Sequence, residues 1–189
     1  MFHSMYNITK EFDFCYGHRV HNQTLNKDYS IDSCLVCRHI HGHQGKIIVN
    51  LTAEELTNDM ITDFKHLNWF KKWIDDEFDH KFIIDKKDPA LSSLFPLLDF
   101  HTNVFLHIPD RKPIINLIYG TINMNLFKDQ PKYIQEIYEG LVIVEFVPTS
   151  ENLSRFFYDM ISIKMSELGI QVKSVIFKET PKTSAEYSI

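Results

Sequence analysis

Apolar and polar positions alternate over residues 6–16, where Tyr6, Ile8, Phe12, Phe14 and Tyr16 share one parity, broken only by Lys10. That period of two predicts a strand burying one face, and His18 continues the parity just past its end. A second strand is predicted over 45–51, with His41 and His43 on the parity of Ile47, Val49 and Leu51. The period then lengthens. Phe64, Leu67, Phe70, Ile74 and Phe78 fall at helical spacing over 62–78, with Thr62 or Asp63 able to cap the first turn. Further on, the β-branched run 141–147 reads as a buried strand stopped by Pro148. Leu153, Phe156, Phe157, Met160, Ile161 and Leu168 mark a second amphipathic helix, opened by Thr149 or Ser150 and closed by Gly169. Residues 172–180 predict another strand, with Val175, Phe177 and Glu179 on one face, and 183–189 a short last one. Between the helices, 81–140 holds five of the seven prolines and no sustained period, which predicts a loop-rich insertion packed on a single domain spanning 1–189. Apart from the run 141–147 and the short last strand, the order strand, strand, helix, helix, strand is that of an α+β fold.

Composition narrows the functional classes. With 20 Lys and Arg against 25 Asp and Glu, the net charge of -5 offers no general basic field for DNA or RNA, so no nucleic-acid partner is expected. The sequence has no apolar run long enough for a membrane span, and none is expected. Three cysteines, Cys15, Cys34 and Cys37, and an N-terminus without signal-peptide character point to a reducing, cytoplasmic compartment. The unusual count is ten His, five of them between His18 and His43.

In an extended chain, residues two apart face the same side, so His41-Gly42-His43 presents two imidazoles to one ion, and Gly42 leaves the backbone room to bend. A third imidazole from His18 would complete a three-nitrogen set that zinc accepts with one position open, the pattern of a catalytic ion. Against this stand ordinary polar histidines at a strand edge. Cys37, four residues before His41, could become a thiolate beside such an ion, or be an inert buried thiol. Cys34, Cys37, His39 and His41 could instead close a structural zinc, and Cys34-Leu35-Val36-Cys37 a redox pair, although no helix opens there. Asp79-His80 could form a proton relay or a solvated helix end. Glu179 on a core-facing parity needs partners, which a ligand's amine and ring N–H would supply, unless it is a strand-end carboxylate in solvent.

Taken in order, Phe12-x-Phe14 leading to Gly17-His18-Arg19-Val20, then Cys37-Arg38-His39-Ile40-His41-Gly42-His43, resembles the 6-pyruvoyl-tetrahydropterin and 6-carboxy-tetrahydropterin synthase family. Met60-Ile61-Thr62-Asp63-Phe64 is similar to the start of that family's first helix, and Asp79-His80 to its catalytic pair. Pro148-Thr149-Ser150-Glu151-Asn152 resembles the segment opening its second helix, and Lys178-Glu179-Thr180 its terminal Lys-Glu-Thr. The resemblance covers 12–20, 37–80 and 148–180, and leaves 81–147 without a counterpart in short members. Departures are Gly17, where the family commonly has Ala, and the additional Cys34 and His39.

The resemblance implies that His18, His41 and His43 hold Zn2+ as a Lewis acid toward the side-chain hydroxyls of 7,8-dihydroneopterin triphosphate. It implies Cys37 as the base, Asp79 and His80 as the relay, Glu179 as the pterin anchor, and Thr149, Ser150 and Glu151 as pocket lining. Arg19, Arg38 and Lys46 are the candidate cations for the triphosphate. The spacing of Cys37 from the His-Gly-His pair resembles the bacterial 6-carboxy branch, which feeds 7-deazaguanine (queuosine) synthesis with loss of acetaldehyde and triphosphate. The alternatives are the 6-pyruvoyl activity and a non-catalytic structural-zinc interaction module. The implied architecture is the tunnelling fold (T-fold), an antiparallel four-stranded sheet with two helices on one face. Such subunits close into rings, and the expected assembly is a homohexamer of two stacked trimers with active sites at subunit boundaries.

Overall fold

The predicted first strand is realised as β1 (Tyr6–His18) in the computed structural model, which describes residues 5–107 and 119–189. The strand reaches two residues further than its hydrophobic alternation, so that His18 lies within it and is buried. The expected second strand is longer too, as β2 (His41–Ala53), with Ile47, Val49 and Leu51 sealed from solvent. The predicted first helix begins as a 3-10 turn, Phe64–Leu67, in which the Asp63 carboxylate accepts the Lys65 N–H, and continues as α1 (Asn68–Glu77). Leu67 of that turn is buried with Phe70 and Ile74 of α1, whereas Phe64 at its start is exposed.

The four-stranded antiparallel sheet and loop-rich insertion expected from the sequence are corrected by the structure. Residues 81–140 contribute β3 (Lys81–Asp85), α2 (Leu91–Leu94), β4 (Val104–His107), β5 (Tyr119–Ile122) and α3 (Lys132–Glu139). They are followed by β6 (Leu141–Val144), α4 (Ser150–Ser166), β7 (Gln171–Thr180) and β8 (Thr183–Ser188). The hydrogen-bonded order is β4-β5-β6-β3-β1-β2-β7-β8, an eight-stranded mixed sheet. β3 pairs in parallel with both β1 and β6, and the other recorded pairings are antiparallel. Two neighbouring parallel strands need a crossover of a dozen or more residues, and the segment between β3 and β6 supplies it. Strands in such a position are covered on both faces, so β3 and β6 show runs such as Phe82-Ile83-Ile84 and Leu141-Val142-Ile143-Val144 instead of alternation. Prolines 89, 96 and 131 fall outside strands and helix interiors, while Pro109 and Pro113 lie outside the described residues.

The chain divides into two compact units, and β1 and β2 contribute residues to each. The first consists of residues up to Phe14, Gln44–Asp79 and Ser150–Ile189. Its core is aromatic: Phe12 packs edge-on to Phe70 at 5.1 Å between ring centroids, and Phe157 lies 6.0 Å from Phe14 and 5.9 Å from Phe177. Such contacts join the inward rows of β1 and β7 to α1 and α4, and aromatic pairs add about 0.5–1.5 kcal/mol each beyond burial. α4 ends at Ser166, and Gly169, at φ +69°, makes the left-handed turn into β7.

The second unit is Cys15–His43 with His80–Thr149. One of its clusters is built by Ile84, Leu91, Phe95, Ile122, Phe127, Tyr138, Leu141 and Ile143, so the proline-rich segment carries a core of its own. The Tyr138 hydroxyl accepts the Leu97 N–H at 2.9 Å, which lets a phenol sit in that core with its polar end satisfied.

Candidate metal centre and active site

The end of β1 and the start of β2 lie close together within the second unit. A Cβ added to Gly42 would meet the Tyr16 carbonyl oxygen at 3.0 Å, so Gly42 serves close strand approach. Gly17 has a parallel reason: its missing side chain is replaced by the Phe82 ring, which a Cβ would meet at 2.9 Å.

The approach brings His18, His41 and His43 together, each offering a ring nitrogen within 4.8 Å of the others. Ring centroids are 4.5 Å apart for His18 and His41, 5.2 Å for His18 and His43, and 4.9 Å for His41 and His43. Two of the rings are oriented by backbone carbonyls, which can only accept. His18 Nδ1 donates to Pro148 O at 2.7 Å, and His41 Nδ1 donates to His39 O at 2.9 Å. In neutral rings those bonds place each N–H on Nδ1 and leave Nε2 as a lone pair. The two Nε2 atoms face each other at 3.1 Å. Two lone pairs at that distance repel unless a cation lies between them. Tetrahedral zinc with Zn–N of about 2.0–2.1 Å sets its nitrogens about 3.3 Å apart, so His18 and His41 fit the ion in spacing and tautomer, and His43 within 4.8 Å brings the donors to three. Carbonyl-held Nδ1–H groups are also the outer support that ligating histidines require.

The remaining expected residues are placed as follows. Cys37 is half-buried in a 3-10 turn, Val36–Arg38, ahead of β2. Cys34 is exposed, and among the described residues no three of Cys34, Cys37, His39 and His41 converge within 4.8 Å, so these four do not form the closed structural site that their spacing allowed. Asp79 closes the first unit's helical segment, its N–H donating to Ile74 O at 2.8 Å. His80 opens the second unit with φ at 58°, the left-handed region that costs a β-carbon residue energy and is held here by its N–H donating to Cys15 O at 2.7 Å. Cys15, which no spacing singled out, brings its thiol within 4.8 Å of a His80 ring nitrogen. Thr149 ends the second unit, its N–H donating to Val147 O, while Ser150 and Glu151 begin α4 in the first. Glu179 is half-buried on β7 in the first unit. The three candidate cations all have protein partners: Arg19 pairs with Asp88, Arg38 donates to Gln23 O, and Lys46 pairs with Glu11.

The sequence matches the family described as 6-pyruvoyl tetrahydropterin synthase over residues 7–189. The chain belongs to that family. Among curated relatives of this pterin synthase family, a 6-carboxy-5,6,7,8-tetrahydropterin synthase from Aquifex aeolicus (strain VF5) is 30% identical, covering 96% of this chain and 97% of its own. Among solved structures, an uncharacterized protein from Wolinella succinogenes is 45% identical, with a TM-score of 0.89 and 98% of each chain covered. The Caenorhabditis elegans 6-pyruvoyl tetrahydropterin synthase shares the fold at a TM-score of 0.54 and 18% identity, covering 100% of this chain and 99% of its own. The pterin synthase T-fold is therefore present here, extended to eight strands. Among the described residues no helix is long and apolar enough to cross a membrane.

Proposed function

We propose that the protein is a zinc-dependent 6-carboxy-tetrahydropterin synthase. It converts 7,8-dihydroneopterin triphosphate and water into 6-carboxy-5,6,7,8-tetrahydropterin, acetaldehyde and triphosphate. The observation that carries this reading is the three-imidazole cluster whose Nδ1–H groups on His18 and His41 are fixed by carbonyls, so that both Nε2 atoms, 3.1 Å apart, carry lone pairs able to ligate an ion. The carboxy branch is favoured over the pyruvoyl one by the Aquifex aeolicus relative's name and by the three residues between Cys37 and His41.

In this reading His18, His41 and His43 hold the ion, which supplies Lewis acidity toward the substrate's side-chain hydroxyls when bound. Cys37 takes the side-chain proton, and His80 with Asp79 passes it on. Glu179 orients the pterin by accepting its amino and ring N–H groups, while Thr149, Ser150 and Glu151 line the pocket. Elimination of triphosphate and cleavage of the side chain follow, with the water appearing in the carboxylate and acetaldehyde products. The protein acts as one catalytic domain in the cytoplasm and supplies 7-deazaguanine (queuosine) synthesis. It assembles as two stacked trimers. Supporting assembly, β8 pairs with β7 alone and β4 with β5 alone among the described strands, so each leaves an open edge for a neighbour to cover.

The test is incubation of purified protein with 7,8-dihydroneopterin triphosphate. Acetaldehyde and triphosphate should form in equal amounts, and His41→Ala should lose both the bound transition metal and the turnover. A pyruvoyl product without acetaldehyde would assign the sister activity instead.

A further inference from the structure

Cys37 occupies the middle of the 3-10 turn Val36–Arg38. The first N–H groups of such a turn have no partner inside it, and Leu35 before it supplies no side-chain cap. The missing acceptor comes from a distance. The Cys37 N–H donates to the side-chain Oε1 of Gln23 at 3.0 Å. The Cys37 carbonyl accepts the Val20 N–H at 2.7 Å, so both of its backbone polar groups are tied to one segment. That segment closes on itself through Gln23 N–H to Val20 O at 3.1 Å. It also grips the residue after Cys37: Gln23 O accepts Arg38 Nε at 3.0 Å and Nη2 at 2.7 Å.

The segment is itself anchored. It begins after His18, and its Arg19 and His21 meet the buried carboxylates of Asp88 and Asp85 at 2.8 and 2.9 Å. Val20–Gln23 therefore links the end of β1, which carries a candidate zinc ligand, to the turn that carries the thiol. We propose that Gln23 is a positioning residue for Cys37, its amide oxygen fixing the backbone from which the thiol projects. This rests on the reading above that Cys37 moves the substrate's proton, and adds to it a residue outside the motifs of the family resemblance. Gln suits the task because it reaches the turn and accepts an N–H. Met has a similar length and volume but offers no comparable acceptor, whereas Glu keeps one.

Gln23→Met and Gln23→Glu separate the possibilities. A misplacement of 1 Å can cost about 100-fold in rate, so loss of one tether should lower kcat of Gln23→Met by about tenfold or more. KM should stay within about twofold, and zinc content and melting temperature should be unchanged. Gln23→Glu should recover most of the lost kcat. In parallel, iodoacetamide alkylation without substrate, followed on the Cys37 peptide by mass spectrometry, should change by about threefold or more in Gln23→Met and return toward wild type in Gln23→Glu. An unchanged kcat and alkylation rate in Gln23→Met would overturn the proposal, and so would loss of zinc or of fold in step with activity. If the wild-type protein forms no pterin product, the functional reading fails, while the alkylation measurement still decides whether Gln23 holds Cys37.

Discussion

Phe157 in the first unit and Asp88 in the second are both sealed from solvent, yet they are secured in different ways. Phe157 meets the rings of Phe14, Phe70, Trp73, Phe78, Phe156 and Phe177, with centroids 5.4 to 6.3 Å away. Each contact is weak, and none depends on one atom of one partner. Asp88 has specific partners: Arg19 Nε on Oδ2 at 2.8 Å and the Ala90 N–H on Oδ1 at 2.8 Å. Asp85 repeats the arrangement with His21 and the Lys87 N–H. The first unit is stabilised by many interchangeable contacts, whereas the second places its histidines through a few polar contacts that have no substitute. Damage to the first should therefore be energetic, and damage to the second both energetic and functional.

Phe157→Ala tests the first half of that contrast and should have the larger effect. Removing a buried phenyl ring costs about 3–5 kcal/mol, so the urea midpoint should fall sharply while metal content per folded molecule is retained. A loss below about 1 kcal/mol would mean that the surrounding rings close over the gap.

Asp88→Ala tests the second half. Breaking a buried ion pair costs about 3–5 kcal/mol, and because the Arg19 side chain keeps 17% of its exposure, about 2–3 kcal/mol is expected. Since Arg19 adjoins His18, this variant should also hold its metal more weakly, measured by competition with a chelator. Equal stability loss with unchanged metal affinity would show that the segment after β1 does not transmit its anchoring to the histidine.

The same contrast decides what could be read from the sequence. In the first unit, the inward residues of β2, α1, α4 and β7 recur at periods of two or 3.6, and hydrophobic periodicity found those elements within a few residues. The His-Gly-His pair was legible for a related reason, since alternation along a strand fixes which side chains converge. β3, β4 and β5 were not legible. They are four or five residues long, β3 is covered on both faces and so does not alternate, and nearby prolines suggested loops. Nor could any local rule find Gln23 under Cys37, Pro148 O behind His18, or Asp85 and Asp88 behind His21 and Arg19. These contacts bridge 14, 130, 64 and 69 positions, and they arise only when the parallel strands are in place.

Asp159 on α4 supplies the smallest and most selective test, because it is a buried carboxylate in the unit that otherwise relies on aromatic packing. Its nearest recorded charge is Arg155, whose Nε lies 3.8 Å from Oδ2 and whose guanidinium also sits over the Tyr187 ring at 5.6 Å. Burial pushes the Asp159 carboxyl above its usual pKa, and the attraction of Arg155 opposes this only in part. The folded state thus holds the proton more tightly than the unfolded state. The resulting cost is absent below the unfolded carboxylate value of about 3.9, grows as pH rises through the raised folded value, and is complete above it. Asp159→Asn removes that cost but forfeits an ion pair worth about 0.2–1 kcal/mol, so at pH 7 it should stabilise the protein by less than about 1 kcal/mol. The gain should vanish in acid, where the wild-type carboxyl is also neutral. Melting temperatures of both proteins across that pH range would check it. A variant less stable than wild type at pH 7 and equal to it in acid would show that Arg155 outweighs burial, and that the first unit uses a polar pair after the manner of Asp88.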